Sequence, residues 1–177
     1  MDMPMALNQM QLAETKAYRR PAPLRIVVAQ PADGNALVAL CGALHTYNAS
    51  LDASFSLAEG WRALLGQAFN ETYWHKDKLW LLVKDGEQAV GLLIAGIHCD
   101  SPLYRHRRWV EVEALYVAPS HRRRGLAQGL LNEAYAWAAA NGLARVQLYV
   151  TASNVRAQSV YRAQGFAVTQ AIMRKTL

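Results

Sequence analysis

The chain is short of cysteine, of acidic residues in its second half and of long apolar runs, and each shortage excludes something. Two cysteines in 177 residues, Cys41 and Cys99, cannot build a multi-bridge framework or a four-cysteine zinc site, so a reducing compartment is expected. The longest apolar run, residues 89–97, holds nine residues, about half of the roughly 18 that span a bilayer. Residues 1–23 carry Asp2 and Glu14 and no continuous apolar core, so they do not read as a secretory signal. A cytoplasmic location with no membrane attachment is the expectation. Charged residues are 18% of the chain against 53% hydrophobic, which excludes a disordered polymer. What remains is one domain, long enough to bury about 70% of its unfolded surface without staples.

Acidic residues are scarce where basic ones gather. Residues 1–100 hold 8 Lys/Arg and 10 Asp/Glu, whereas residues 101–177 hold 11 and 3. A field concentrated in one half raises the local concentration of an anionic partner. Nucleic acid, an acidic membrane face and a phosphorylated cofactor all satisfy it.

The hydrophobic pattern gives the order β-α-α-β-β-β-α-β-α-β. Residues 1–23, ending in Arg19-Arg20-Pro21-Ala22-Pro23, read as an irregular arm, and residues 24–177 as the domain. Residues 24–29 form a first strand, and Asp33 is placed to cap a helix through about residue 47. A second helix over 57–69 presents Trp61, Leu64, Leu65 and Ala68. Runs at 79–83 and 89–97 flank Asp85-Gly86, a hairpin signal. In the strand over 109–117, Val110, Val112, Ala114 and Tyr116 alternate with Glu111, Glu113 and Leu115. A helix over 125–141 stops at Asn141-Gly142. A strand at 145–150, a helix at 154–164 and a last strand at 166–173 complete the chain.

One segment carries the chemistry: a strand, then Ala118-Pro119-Ser120-His121-Arg122-Arg123-Arg124-Gly125-Leu126-Ala127. The first amides of a helix lack internal partners and the macrodipole is positive there, so such an end binds phosphate. Gly125 and Ala127 let a diphosphate approach the backbone. Gly-x-x-x-x-Gly-Lys-Ser/Thr and Gly-x-Gly-x-x-Gly are both absent, which argues against nucleotidase and dinucleotide loops.

Arg122-Arg123-Arg124-Gly125-Leu126-Ala127 resembles the acetyl-CoA motif of the GNAT superfamily of N-acetyltransferases, Gln/Arg-x-x-Gly-x-Gly/Ala after a strand. Glu113-Ala114-Leu115-Tyr116-Val117 with Pro119 is similar to the family's fourth strand. Asn154-x-x-Ala157-x-x-x-Tyr161 with Gly165-Phe166 is similar to its second CoA-contacting motif. The resemblance implies a single mixed α/β domain whose mostly antiparallel sheet splays between the fourth and fifth strands, flanked by helices. It implies pantetheine contacts along Leu115, Tyr116 and Val117 and the diphosphate on the Arg122 to Ala127 amides. Asn154, Ala157 and Tyr161 share one helix face, as a cofactor lying along the helix requires.

The implied reaction is direct transfer of acetyl from acetyl-CoA to a primary amine in a ternary complex. An ammonium must lose its proton before attack. Glu111 and Glu113 are both candidates for that base, with water open as a third route. Tyr161 takes the family's role of proton donor to the departing thiolate, and a backbone N–H near Val117 that of polarising the thioester carbonyl. Tyr47 and Asp52, with Asn48, fall between the first two helices, where the family walls its acceptor site. A small-molecule amine is the expected acceptor, with no nucleic acid. A homodimer is entertained because the family contains them, although nothing in the sequence marks an interface.

Plainer readings compete. The arginines also suit a nucleic-acid-binding module, although such a surface interleaves aromatic and basic side chains and the triplet does not. A catalytically silent acyl-CoA sensor keeps the same loop. Arg105-His106-Arg107-Arg108 reads as a solvated hairpin end and Cys41 as core. Cys99 lacks a neighbouring base. His98-Cys99-Asp100 holds metal-type ligands without a second cluster, so no metal site is assigned.

Overall fold

In the computed structural model, which describes residues 23–175, the β-rich runs pair into one five-stranded sheet. Strands β1 (Arg25–Val28), β2 (Lys78–Asp85), β3 (Gln88–Cys99), β4 (Arg108–Val117) and β5 (Val146–Leu148) lie in sequence order. The first four pair antiparallel, and β5 joins β4 in parallel. Helices α1 (Gly34–Leu51) and α2 (Trp61–Thr72) cover one face. Helix α3 (Leu126–Ala140) covers the other, with α4 (Val155–Ala163) reaching it through Tyr161. The mixed α/β class and the β4–β5 splay are those expected from the sequence. Of the expected arm, residues 1–22 lie outside the described residues.

Each face carries its own core. Leu81, Val83, Leu93, Ala95, Val110 and Val112 pack on Leu130, Leu131, Ala134 and Ala138 of α3. Trp80, Leu82, Leu92, Ile94 and Ala114 pack on Leu37, Leu40 and Cys41 of α1 and Phe69 of α2. At 25 cal/mol per Å², burying each of these larger side chains is worth about 1.5–3 kcal/mol.

The alternation read along β4 is interrupted. Ile94 pairs with Ala114 while its neighbour Ala95 pairs with Val112, so Glu113 is the extra residue of a β-bulge. A bulge shifts the two-residue side-chain period by one. Val110 and Val112 therefore face α3, but Ala114 and Tyr116 pack on the α1–α2 side. The sequence had put all four on one face. The bulge falls where β5 departs, and it places a carboxylate at the splay.

Other expectations need correction. Helix α1 continues to Leu51, so Tyr47 and Asn48 sit within it and not in a connection. Asp33 precedes α1 but gives its helix no side-chain bond. Its carboxylate instead accepts from the Gln30 N–H at 2.9 Å and pairs with Lys84 at 2.8 Å. Gly60, at φ 74°, delays α2 to Trp61. On that helix Leu64 is 64% exposed while Phe69 is buried, because only the stripe Trp61, Leu65, Phe69 turns toward α1 and the sheet. The last strand, at 166–173, does not form. The stretch is irregular and, beyond the half-buried Phe166, exposed; no strand among the described residues pairs with it, so its β-prone residues have no ladder to join.

Candidate active site

Parallel pairing between β4 and β5 covers only Val110 to Val112 opposite Val146 to Leu148. Beyond that point β4 continues from Glu113 to Val117 with no strand partner on its β5 side among the described residues, and a cleft of about 460 Å³ opens there. Its walls are the free end of β4, the start of α3, residues 149–151, one side of α4, and Leu44, Tyr47 and Asn48 of α1. Backbone groups of an unpartnered strand are hydrogen-bonding sites along their whole length, which suits an extended amide-bearing chain.

At one end of the cleft the chain turns into α3. Arg123 (φ 63°) and Gly125 (φ 73°) both adopt the left-handed conformation. The first intrahelical bond runs from the Gly129 N–H to the Gly125 carbonyl at 2.9 Å, so the amides of Leu126, Ala127 and Gln128 have no helical partner. A Cβ built at Gly125 meets nothing within 4 Å, so the glycine leaves open space against the backbone. These features fit a diphosphate. The arginines divide the work: Arg122 turns back, its Nε donating to the Val117 carbonyl at 2.8 Å and its guanidinium lying 5.7 Å from the Tyr116 ring. It braces the loop, while Arg123 and Arg124 stay exposed and supply field. His121 is a second brace that the sequence reading missed. Its Nε2 lies 3.1 Å from Asp85 Oδ2 and its Nδ1 2.9 Å from Ser120 Oγ, tying the loop to the β2–β3 turn.

Along the side wall, Asn154 caps α4, its Oδ1 accepting from the Ala157 N–H at 3.1 Å. That bond uses the side-chain carbonyl and leaves the amide NH2. Ala157 and Tyr161 line the cleft on the same face. Tyr161 packs edge-on to Phe166; burial, and then the neighbouring Tyr135, push its phenol up to about 12. The Tyr135 hydroxyl is itself buried without a hydrogen-bond partner among the described residues.

At the other end the bulge presents Glu113. Lys78 Nζ lies 2.6 Å from both of its carboxylate oxygens. Glu111 does not line the cleft; it accepts from the Trp109 indole N–H at 3.4 Å. Between the two carboxylates stands His98 of β3, with Nε2 3.5 Å from Glu113 and Nδ1 3.9 Å from Glu111. Sequence reasoning had weighed His98 only as a metal-type ligand. Of the acceptor candidates, Tyr47 lines the cleft and Asp52 does not. Asp52 ends α1, and bonds from Ser54, with Arg174 adding to them, hold its carboxyl below the usual range.

A profile of the Acetyltransferase (GNAT) family matches residues 44–166, the span that holds the cleft. This chain belongs to the GNAT acetyltransferase family. Acetyl-CoA is the acetyl donor that goes with this membership, and the cleft has the features described above to receive it. The mycothiol acetyltransferase of Beutenbergia cavernae is 34% identical over 96 residues, a match covering 54% of this chain and 30% of that protein. Among solved structures, the aminoglycoside antibiotic 6'-N-acetyltransferase AAC(6')-Ih from Acinetobacter baumannii superposes with a TM-score of 0.70 at 20% identity. That match covers 88% of this chain and 98% of the other. The aminoglycoside N-acetyltransferase AAC(6')-Iy, solved with CoA, gives 0.69 at 18% identity over 89% and 97%. At such identities the structures establish a shared fold. No helix among the described residues is long and apolar enough to cross a membrane.

Proposed function

We propose that residues 24–177 form an N-acetyltransferase domain that moves the acetyl group of acetyl-CoA to a primary amine of a small molecule, by direct attack in a ternary complex. The observation that carries this reading is one cleft joining a free strand edge, an open helix N-terminus and a carboxylate at the splay. When bound, acetyl-CoA supplies the acetyl thioester. The unpartnered helix amides and the Arg123–Arg124 field hold its diphosphate, and the free edge from Leu115 to Val117 holds its pantetheine arm. Ala157, Tyr161 and the amide of Asn154 flank it. A strand N–H near Val117 polarises the thioester carbonyl.

At the acceptor end, Glu113 lines the cleft and receives the incoming ammonium, and Glu111 stands behind it as the second candidate base. Tyr161 faces the leaving sulfur. Its raised pKa keeps the phenol protonated, about 12 against about 8.5 for an ordinary thiol. Full transfer of its proton to a thiolate therefore costs about 5 kcal/mol, so Tyr161 stabilises the sulfur by hydrogen bonding. The acceptor wall of Leu44, Tyr47 and Asn48 carries no charge, which favours a small molecule over a basic peptide tail.

Calorimetric titration with acetyl-CoA and desulfo-CoA, followed by thiol release over a panel of small amines, tests the proposal. Saturable binding of both nucleotides with turnover of at least one amine is expected. Binding without turnover of any amine or peptide would leave an acyl-CoA sensor in its place.

A further inference from the structure

The two carboxylates singled out by the sequence are unequal partners of a third group. Glu113 is held by the Lys78 ammonium at 2.6 Å, so its carboxylate is already engaged before an acceptor arrives. Glu111 lies outside the cleft. A proton taken from the acceptor's ammonium therefore needs an onward carrier, and an imidazole, which can accept at one ring nitrogen while donating from the other, is the side chain able to pass it on.

His98 stands where such a group is needed. Glu111 faces one ring nitrogen and Glu113 the other. The ring is stacked on Trp109, with centroids 5.8 Å apart and planes at 25°. Arg145 lies over the same indole at 4.5 Å, and Lys78 reaches the cluster from β2. Gly96, two residues before His98, makes room: a Cβ there falls 2.7 Å from Glu113 Oε1. The His98 side chain is 44% exposed, so a proton arriving on it has a way out to water. Its distances to the carboxylates exceed direct hydrogen bonds, and a small ring rotation or one bridging water closes each.

Resting on the acetyltransferase reading above, we infer that His98 is the terminal proton acceptor of the acceptor side, working through Glu113 and steadied by Glu111. The overall reaction converts R–NH3+ and acetyl-S-CoA to R–NH–CO–CH3, CoA-SH and one proton. The second proton lost from nitrogen ends on the thiol. The released proton passes from the ammonium to the Glu113 carboxylate and then to His98 Nε2. That transfer restores Glu113; the imidazolium then loses its Nδ1 proton toward Glu111 or solvent, and exchange of the ring proton with water returns the starting tautomer. His98 touches neither substrate directly, so it is a relay and positioning residue. Glu111 and Glu113 flank the two ring nitrogens, and Lys78 holds Glu113 in place between turnovers.

The test compares wild type with His98→Gln, Glu111→Gln and Glu113→Gln, using acetyl-CoA and whichever amine the panel yields. His98→Gln should keep its acetyl-CoA Kd, lose roughly 100-fold in kcat/KM near neutrality, and lose the rise of kcat/KM with pH on the acidic side. The double variant His98→Gln/Glu113→Gln should lose little more activity than the worse of the two single variants, since both residues act on one proton path. An acidic limb unchanged in His98→Gln, or losses that multiply in the double variant, would overturn the relay while leaving the acetyltransferase intact. A wild-type protein that binds acetyl-CoA yet acetylates no amine would overturn the parent reading, and the relay with it.

Discussion

Lys78 Nζ and the Glu113 carboxylate meet at 2.6 Å over the backbone of Gly96. The pair joins β2 to β4 across β3, and a side chain at residue 96 would sit where the carboxylate lies: 2.7 Å from Oε1 and 3.2 Å from Lys78 Nζ. Both obstructing atoms end flexible side chains, so Gly96→Ala should fold with little loss of stability while pushing the pair aside. Misplacing a reacting group by about 1 Å can cost about 100-fold in rate. We expect kcat/KM for the amine to fall by about 10- to 100-fold with the acetyl-CoA Kd unchanged. A variant of full activity would show that Glu113 does not need this position.

Gly125 is required for backbone shape and for ligand access, and the two can be separated. At φ 73° with nothing within 4 Å of a built Cβ, the protein itself offers no clash to a side chain there. Gly125→Ala should lose about 1 kcal/mol or slightly more from left-handed strain, with a moderate loss of acetyl-CoA affinity. Gly125→Leu, unbranched at Cβ, carries strain similar to alanine's with more bulk facing the ligand, and its Kd should rise well beyond that of alanine, by tenfold for each further 1.4 kcal/mol. Equal Kd values in the two variants would place the diphosphate elsewhere.

Tyr161→Phe separates hydrogen bonding from packing, because the ring against Phe166 is retained. A hydrogen bond to a charged group is worth about 1.5–3 kcal/mol, roughly 10- to 150-fold in rate. The loss should appear in kcat with the acetyl-CoA Kd held. It should also be flat with pH across neutrality, since a phenol pushed up to about 12 stays protonated there. A pH-dependent loss centred near neutrality would contradict that role.

What was legible in the sequence was what lies close together in it. The Arg122 to Ala127 loop, the Asn154–Ala157–Tyr161 face and the Asp85-Gly86 hairpin each occupy a short contiguous stretch, so their local chemistry announced them. The bulge at Glu113 was not legible. Residues 110, 112, 114 and 116 alternate without interruption in the sequence, and only the register against Ile94 and Ala95 shows the break. The Lys78–Glu113 pair spans 35 residues, and His98 reaches Glu113 from a neighbouring strand, so neither leaves a local mark. The expected strand at 166–173 was read from residue preference alone, whereas a strand also needs an edge to pair with.

Outside the site, Asp33 tests the linkage between charge and stability. Burial raises its pKa, but the bonds from Lys84 and the Gln30 amide outweigh that and hold the carboxyl below its ordinary value. A folded-state pKa below the unfolded one, about 3.9, means that the folded state binds this proton less readily. The stabilisation is therefore complete above the unfolded value and is lost as pH falls through the folded value. Asp33→Asn should lower stability near neutrality by about 1–2 kcal/mol and flatten the acid side of the stability curve below about pH 4. Urea melts of both proteins between pH 3 and pH 7 measure this, at about the precision the linear extrapolation allows. A variant whose stability falls with acid as steeply as the wild type would mean that other carboxylates set the acid limb.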